Sequence, residues 1–533
     1  SFASIGHRGH SNATATYSTG LSGDILVDVI RGGLRLEGGD GVDGSTLATT
    51  PPDIRLNGAQ IGHGGYSAGH LTYGMHGSVR VHVQDDILLR SGTSKYAPVI
   101  IGHGGYASFG PMGVAGDVIE VVSRDGNLEL DSTLALTSTW GGTLIGSGAW
   151  SSTAGTRQGD ILVDVAGEIS MVGNLSSIGH RTSTVGGITD ADLTIRARSL
   201  DRITGDSGGG LFHVDTSLSP SLSSSLTGGH VSLIAMGSEG LWLAGDIRQN
   251  STFDLNLLSQ GDLFLTAHAI NQGSGEVNLV AGWDSLVSSL SGGAATVPGA
   301  GGLPRQYWVR DINMDTEIFG TAASYGVGGG SVWIGAKPTL AGADRAVMVA
   351  SRTGQTNVAG SDVHVWGGAV TGGAGVGERR FSQIGYNRRE GVTATSLDVT
   401  GRVRVKAVND IEVISNKYNV GLLGTGGWPG PNQSGFTSYA QIGHGGDRDG
   451  VADMKLTGDI LVEAGHDLTG LGGRTRENFV LIGHGGYDNA TSTTAKLGGD
   501  IVVSVGNNLS LSGGQGSYSY AQIGHGGARR VPQ

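Results

Sequence analysis

Residues 59–65 read AQIGHGG, and the same seven residues return at 440–446 and at 521–527. Near copies stand at 100–105 (IIGHGG) and 481–486 (LIGHGG). Of the 16 histidines, seven occupy this setting: His7, His63, His103, His180, His444, His484 and His525. Where the motif diverges, Ser147 (LIGSGAW) and Tyr386 (QIGYNRR) take the histidine position. The later copies recur every 40 residues or so, in the range where repeats build solenoids or propellers (about 20–50 residues).

A second motif accompanies the first. GDILVDV occurs at 23–29 and 159–165, GDILVEA at 458–464 and GDIVVSV at 499–505, with diverged forms GSVRVHV at 77–83 and GRVRVKA at 401–407. Val79, Val81 and Val83 alternate with Arg80 and His82, the period of a strand with one buried face. A third apolar run follows, as in Leu34 and Leu36, Ile87 and Leu89, or Leu509 and Leu511. Three short strands per unit, repeated in parallel, bring each strand beside its own counterpart one turn later. The expected fold is therefore all-β, a right-handed parallel β-helix (solenoid) with about three short strands per coil and long Gly-rich loops. A propeller would want four antiparallel strands per blade and a recurring signature, and neither is visible.

Three regions are expected. Residues 1–200 and 381–533 read as regular β-helix with IGHGG/GDILV repeats. Residues 201–380 lack the histidine motif but keep strand signals, and read as diverged β-helix with shorter coils. Trp242, Trp283, Trp308, Trp333 and Trp366 fall in this middle region. They suit packing and shielding of the solenoid, with a sugar-binding surface as the functional alternative.

Composition agrees with a turn-dense β fold. Glycine supplies 99 of 533 residues, proline only 11, and 38% of residues are hydrophobic. Collagen fails for want of a Gly-X-Y period, and disorder fails because the apolar residues cluster into short runs. A net charge of −12 with no basic patch argues against nucleic acid and anionic membranes as partners. Cysteine is absent, which excludes disulfides and thiolate metal sites. No apolar run is long enough for a membrane-spanning helix. The sequence opens at Ser1 within a repeat, as expected of a processed chain or a segment of a larger one.

Candidate chemistry is repetitive rather than singular. The motif histidines are expected to stack about 5 Å apart, the strand spacing. Such a row is neutral and structural, passing hydrogen bonds between rings that each own one donor and one acceptor. Imidazole also ligates metals, so Zn²⁺ is the competing reading. Asp24, Asp117, Asp160, Asp459 and Asp500 follow glycine at a strand entrance, as do Asp246 and Asp262. A carboxylate there accepts a nearby backbone N–H, and stacked carboxylates offer oxygen ligands to Ca²⁺. The pattern requires no cofactor; Zn²⁺ and Ca²⁺ are the two ions its chemistry admits. GGDGVDGS at 38–45 matches a Ca²⁺-binding nonapeptide once and imperfectly, and GAGVGE at 373–378 precedes no helix. Tyr66, Tyr73, Tyr106 and Phe109, in the loops after the histidine motif, are the expected surface contacts.

Units such as GDLFLTAHAINQGSGEVNLVAG (261–282) and GDIVVSVGNNLSLSGG (499–514) resemble the repeats of filamentous-haemagglutinin-type exoproteins and autotransporter passengers. The resemblance implies a secreted bacterial β-helix at the cell surface, non-catalytic, acting in adhesion, biofilm matrix or filaments. It implies as partners further copies of the chain, end to end or side by side, or surface glycans and host-cell ligands. The alternative is a polysaccharide-binding or -degrading β-helix or a phage-type tail fibre. No catalytic constellation is visible, and no catalytic residue carries over from the resemblance.

Overall fold

The computed structural model describes residues 3–10, 20–39, 58–66, 74–93, 97–105, 108, 110–135, 142–149, 155–173, 175–181, 188–189, 191–205, 212–214, 224–226, 229–283, 319, 329–335, 346–367, 380–387, 396–415, 438–446, 453–473, 477–487 and 494–527. Among them every regular element is a β-strand and there is no helix. Apolar runs of three to six residues between glycines are too short to sustain a helical nucleus, and their β-branched side chains suit the pleat. The chain divides into two compact units, Ser1–Ile234 and Ala235–Gln533.

In the first unit, three sets of strands pair in parallel, each strand with its counterpart in the next repeat. The GDILV-type strands Ile25–Val29, Val79–Val83, Val118–Ser123, Asp160–Val165 and Leu193–Ala197 form one set. Their register aligns Ile25, Val79, Ile119, Ile161 and Leu193. Leu34–Glu37, Ile87–Arg90, Leu128–Asp131 and Ile169–Val172 form the second. Ala3–Ile5, Ala59–Ile61, Val99–Ile101, Thr143–Ile145 and Ser176–Ile178 form the third. Beyond the expected three, short strands after the histidine also pair, Arg8–His10 with Gly64–Tyr66 and Gly104–Gly105 with Gly148–Ala149. One local exception is antiparallel: Phe212–Val214 lies against Leu200–Gly205 and touches Ile178 in register.

The second unit repeats the plan. Leu255–Ser259, Val277–Ala281, Thr356–Gly360, Val403–Ala407, Ile460–Ala464 and Ile501–Val505 form its first parallel set. Leu241–Leu243 through Leu509–Ser512 form its second. Ile247–Gln249 through Ala521–Ile523 form its third. Repeat length is uneven in this unit. Equivalent residues Asn256 and Asn278 are 22 positions apart, but Asn278 and Asn357 are 79 apart. The extra chain lies between strands, so pairing register survives the change in length.

Alternation sets the core. Val79, Val81, Val83, Ile87, Leu89, Val99 and Ile101 are all buried to within 1% exposure. A one-residue register slip would turn every such residue outward, so the pattern specifies its own pairing. The opposite face of the first unit's GDILV-type set is not simply solvated. His82, Glu120 and Asp164 are buried there, with His82 3.2 Å from Glu120 and Asp164 paired to Arg196.

The glycine before each histidine of the row lies at positive φ. Gly443 has φ 134° and Gly524 has φ 141°, a region L side chains rarely adopt. A Cβ on Gly443 would sit 2.1 Å from the carbonyl oxygen of Gly483 in the next repeat, whereas on Gly524 its nearest neighbour is 3.5 Å away. Gly524→Ala should therefore show only backbone strain, about 1–3 kcal/mol, and Gly443→Ala should lower the melting temperature several-fold more. Equal losses in the two variants would mean that close approach is not what demands glycine.

Candidate functional site

Where each repeat turns after AQIGHGG-type sequence, backbone groups lose their ladder partners and side chains replace them. In the first unit the amide of His7 donates to Nδ1 of His63 (3.1 Å), and the amide of His63 donates to Nδ1 of His103 (3.3 Å). The row continues through Ser147: the amide of His103 donates to Ser147 Oγ (3.3 Å), and the amide of Ser147 to His180 Nδ1 (3.1 Å). In the second unit the amides of Tyr386, His444 and His484 donate to Nδ1 of His444, His484 and His525, at 3.0, 3.0 and 3.2 Å.

The other ring nitrogen closes the repeat on itself. Nε2 donates to the carbonyl of the glycine that opens the GD-type motif: His63 to Gly23 (2.7 Å), His103 to Gly77 (2.7 Å), His180 to Gly159 (2.7 Å) and His444 to Gly401 (2.6 Å). His484 and His525 reach Gly458 and Gly499 in the same way. Because Nδ1 accepts an amide hydrogen and Nε2 faces a carbonyl, the bonding selects one neutral tautomer. Ring centroids stack at 5.0 and 5.2 Å in the first unit and at 4.9 Å twice in the second. The expected relay from ring to ring is replaced: each bond passes between ring and backbone. Burial pushes His103, His180 and His444 down to about 4 and His484 down to about 3, and it lowers His63 as well.

The glutamine of the motif has a matching task that the sequence reading missed. Gln60 Nε2 donates to the carbonyls of His63, Gly102 and Gly104, at 3.3, 3.0 and 3.2 Å. Gln441 does the same for His444, Gly483 and Gly485, and Gln383 for Gly443 and Gly445. Five positions before the histidine-row residue runs a second missed feature. Phe381, Tyr439, Phe479 and Tyr520 stack face to face at 4.8, 4.7 and 5.1 Å, with interplanar angles of 3–4°. A fixed offset was the available signal in both cases: Gln stands three residues, and the ring five, before Tyr386, His444 and His525.

The Gly-Asp carboxylates accept backbone N–H groups from the neighbouring repeat. Asp24 accepts from Ser78 (2.8 Å), Asp117 from Gly77 (2.9 Å), Asp160 from Asp192 (3.1 Å) and Asp459 from Asp500 (3.1 Å). Asp246 and Asp262 serve His268 and Ser331. A parallel row precedes the second strand set, where Asp410 accepts from Asp467 and Asp467 from Asn508, each at 2.9 Å. Here Asp410, His466 and Asp467 place one ligand atom each within 4.8 Å of one another, the one metal-capable trio among the described residues. His466 Nδ1 lies 3.0 Å from Asp410 and 3.6 Å from Asp467. The amide of Asn508 holds the Asp467 carboxyl below the usual carboxylate range.

Of the expected surface contacts, Tyr66 ends the strand Gly64–Tyr66, and Tyr73, Tyr106 and Phe109 lie outside the described residues. So do residues 40–45 of the nonapeptide match, all of 373–378 and Trp308. Trp283 is buried. Trp242, Phe264, Trp333 and His364 hold one register position on adjacent strands. Trp333 stacks on His364 at 3.8 Å and on Phe264 at 6.4 Å, with Trp366 edge-on at 4.9 Å. Within the row Phe264, Trp333 and His364 thus meet face to face.

No protein-family model matches the chain, and neither a curated protein nor a solved structure does. No helix among the described residues is long and apolar enough to cross a membrane.

With both nitrogens of the buried rings engaged, Zn²⁺ should leave the contribution of the histidine row to stability unchanged. The measurement is the melting temperature with Zn²⁺ and with chelator, in the parent and in the triple variant His444→Asn, His484→Asn, His525→Asn. A Zn²⁺-dependent shift present in the parent and lost in the variant would assign the row to metal.

Proposed function

We propose that each unit winds as a right-handed parallel β-helix, and that the protein is a secreted, non-catalytic structural element of the bacterial cell surface or extracellular matrix. One observation carries the reading: in both units, three sets of parallel strands pair position for position with their own counterparts, and the side chains that turn the corner are reused in repeat after repeat. Such reuse maintains a shape. A catalytic centre needs a single constellation of different groups at one place, and the recurring polar side chains here have partners in the backbone.

The resemblance of the repeats to filamentous-haemagglutinin-type exoproteins supports the same reading. So does the surface chemistry: a net charge of −12 with ion pairs such as Lys406–Glu463 across neighbouring strands and Arg124–Asp28 spanning two repeats. In this function the stacked repeats provide a stiff support, and the variable segments between strands provide the contacts. Adhesion to glycans or cell-surface ligands and assembly with further copies are uses open to such a support.

The test is location. Antibody raised against the chain should label intact source cells or their matrix, and protease added outside should remove the label. Labelling that appears only after the cells are permeabilised would overturn the proposal.

A further inference from the structure

The two nitrogens of each motif imidazole do different jobs, and this separates two kinds of contact. Nδ1 joins one repeat to the next, since it accepts the amide hydrogen of the neighbouring repeat. Nε2 closes a repeat on itself, since it donates to the glycine carbonyl at that repeat's own entrance. A proton added to the ring goes to Nδ1, whose lone pair is the ring's only basic one, and displaces the amide hydrogen from it. It abolishes the first contact and leaves the second, now a charge-assisted bond. We propose that acid opens the corner of this fold selectively, releasing contacts between successive repeats while each repeat stays closed.

Three observations support it. The rings are stacked at 4.9–5.2 Å, so a charge on one ring opposes charge on the next. The groups that face them provide little compensation. His7, His76 and Asp117 act on His63; His63, His180 and Asp117 act on His103. Arg157 acts on His180, and His444 and His525 act on His484. Among the charged groups Asp117 alone favours the proton, and its carboxylate already serves the amides of Gly77 and Val114; the glycine carbonyls at Nε2 favour it too, but burial outweighs them. Third, burial holds the rings neutral, down to about 4 for His103, His180 and His444. A folded-state value below the ordinary 6.5 means that the unfolded chain takes the proton first. Stability from these rings is therefore complete above about pH 6.5 and is lost as pH falls toward about 4.

The molecule carries its own control. The amide of His103 donates to Ser147 Oγ, which does not titrate, within the same row whose other rungs end on Nδ1. The glycine amides beside the histidines bond backbone carbonyls, as Gly102 does to Ile61 and Gly483 to Ile442.

Residue-resolved hydrogen exchange on the full chain, as protection factors between pH 7 and about 3.5, tests the idea. The amides of His63, Ser147, Tyr386 and His444 should lose at least tenfold in protection, while those of His103, Gly102 and Gly483 keep theirs. In His444→Asn, His484→Asn the side-chain oxygen still accepts the amide hydrogen but does not titrate, so the amides of Tyr386 and His444 should become insensitive to pH. Ser147→His should do the reverse and make the His103 amide acid-sensitive. Uniform loss across the corner, no loss in this window, or equal loss in the Asn variant would each overturn the proposal.

Discussion

The corner of the repeat is the constraint on which the rest depends. A parallel ladder satisfies amides and carbonyls only while the strands run straight. When the chain turns after isoleucine, the amide at the histidine position takes a side-chain acceptor and the carbonyl of Gly102 a side-chain donor, while the His63 carbonyl, which accepts the Gly104 amide, takes the same carboxamide as a second donor. Left buried and unpaired, each such group would cost roughly 1–3 kcal/mol. An imidazole and a carboxamide together, His63 with Gln60 or His444 with Gln441, answer that need, and the repeats of His103 and His484, with Ile100 and Leu481 at the glutamine position, rely on the imidazole. Glycine admits the tight approach of the next repeat that the geometry requires. The motif is thus a set of hydrogen-bond substitutes around a turn.

The same account explains which departures the motif tolerates. Ser147 keeps an oxygen that accepts the amide of His103 and a backbone N–H that serves His180, so the row passes through it without an imidazole. Tyr386 donates its amide to His444, a task any residue but proline performs. The Asp and Asn turns follow one rule as well, for Asp86 accepts from Asn127 and the Asn127 side chain from Glu168. Either side chain works because the acceptor is a single oxygen at a fixed position. Columns of rings add apolar contact along the same direction, with Phe381, Tyr439 and Phe479 buried against one another.

Strands were the legible part of this chain. Their period of two is a local property, and the repeat of GDILV-type runs told which strand would meet which. The stacking of histidines was legible for the same reason, through recurrence at one spacing. Their bonding was not. A ring has two neighbours above and below and backbone on either side, and only the turn decides that backbone takes both nitrogens. Gln60 and Phe479 went unread although their offsets recur, because a glutamine or an aromatic inside a β run has many ordinary explanations. The trio Asp410, His466 and Asp467 joins residues 56 positions apart, and no local pattern announces such a meeting.

By itself, the sequence determined the all-β character, the parallel recurrence and the residues that face inward, because alternation and repeat period are read along the chain. Only the tertiary structure decided what the recurring polar residues do. Whether His444 is a ligand, a relay or a latch depends on which backbone groups the glycine turn leaves without partners, and those groups belong to Tyr386 in the preceding repeat and to Gly401 at the strand entrance. Hydrogen bonding is directional and short-ranged, so that answer exists only once the neighbouring repeats are in place.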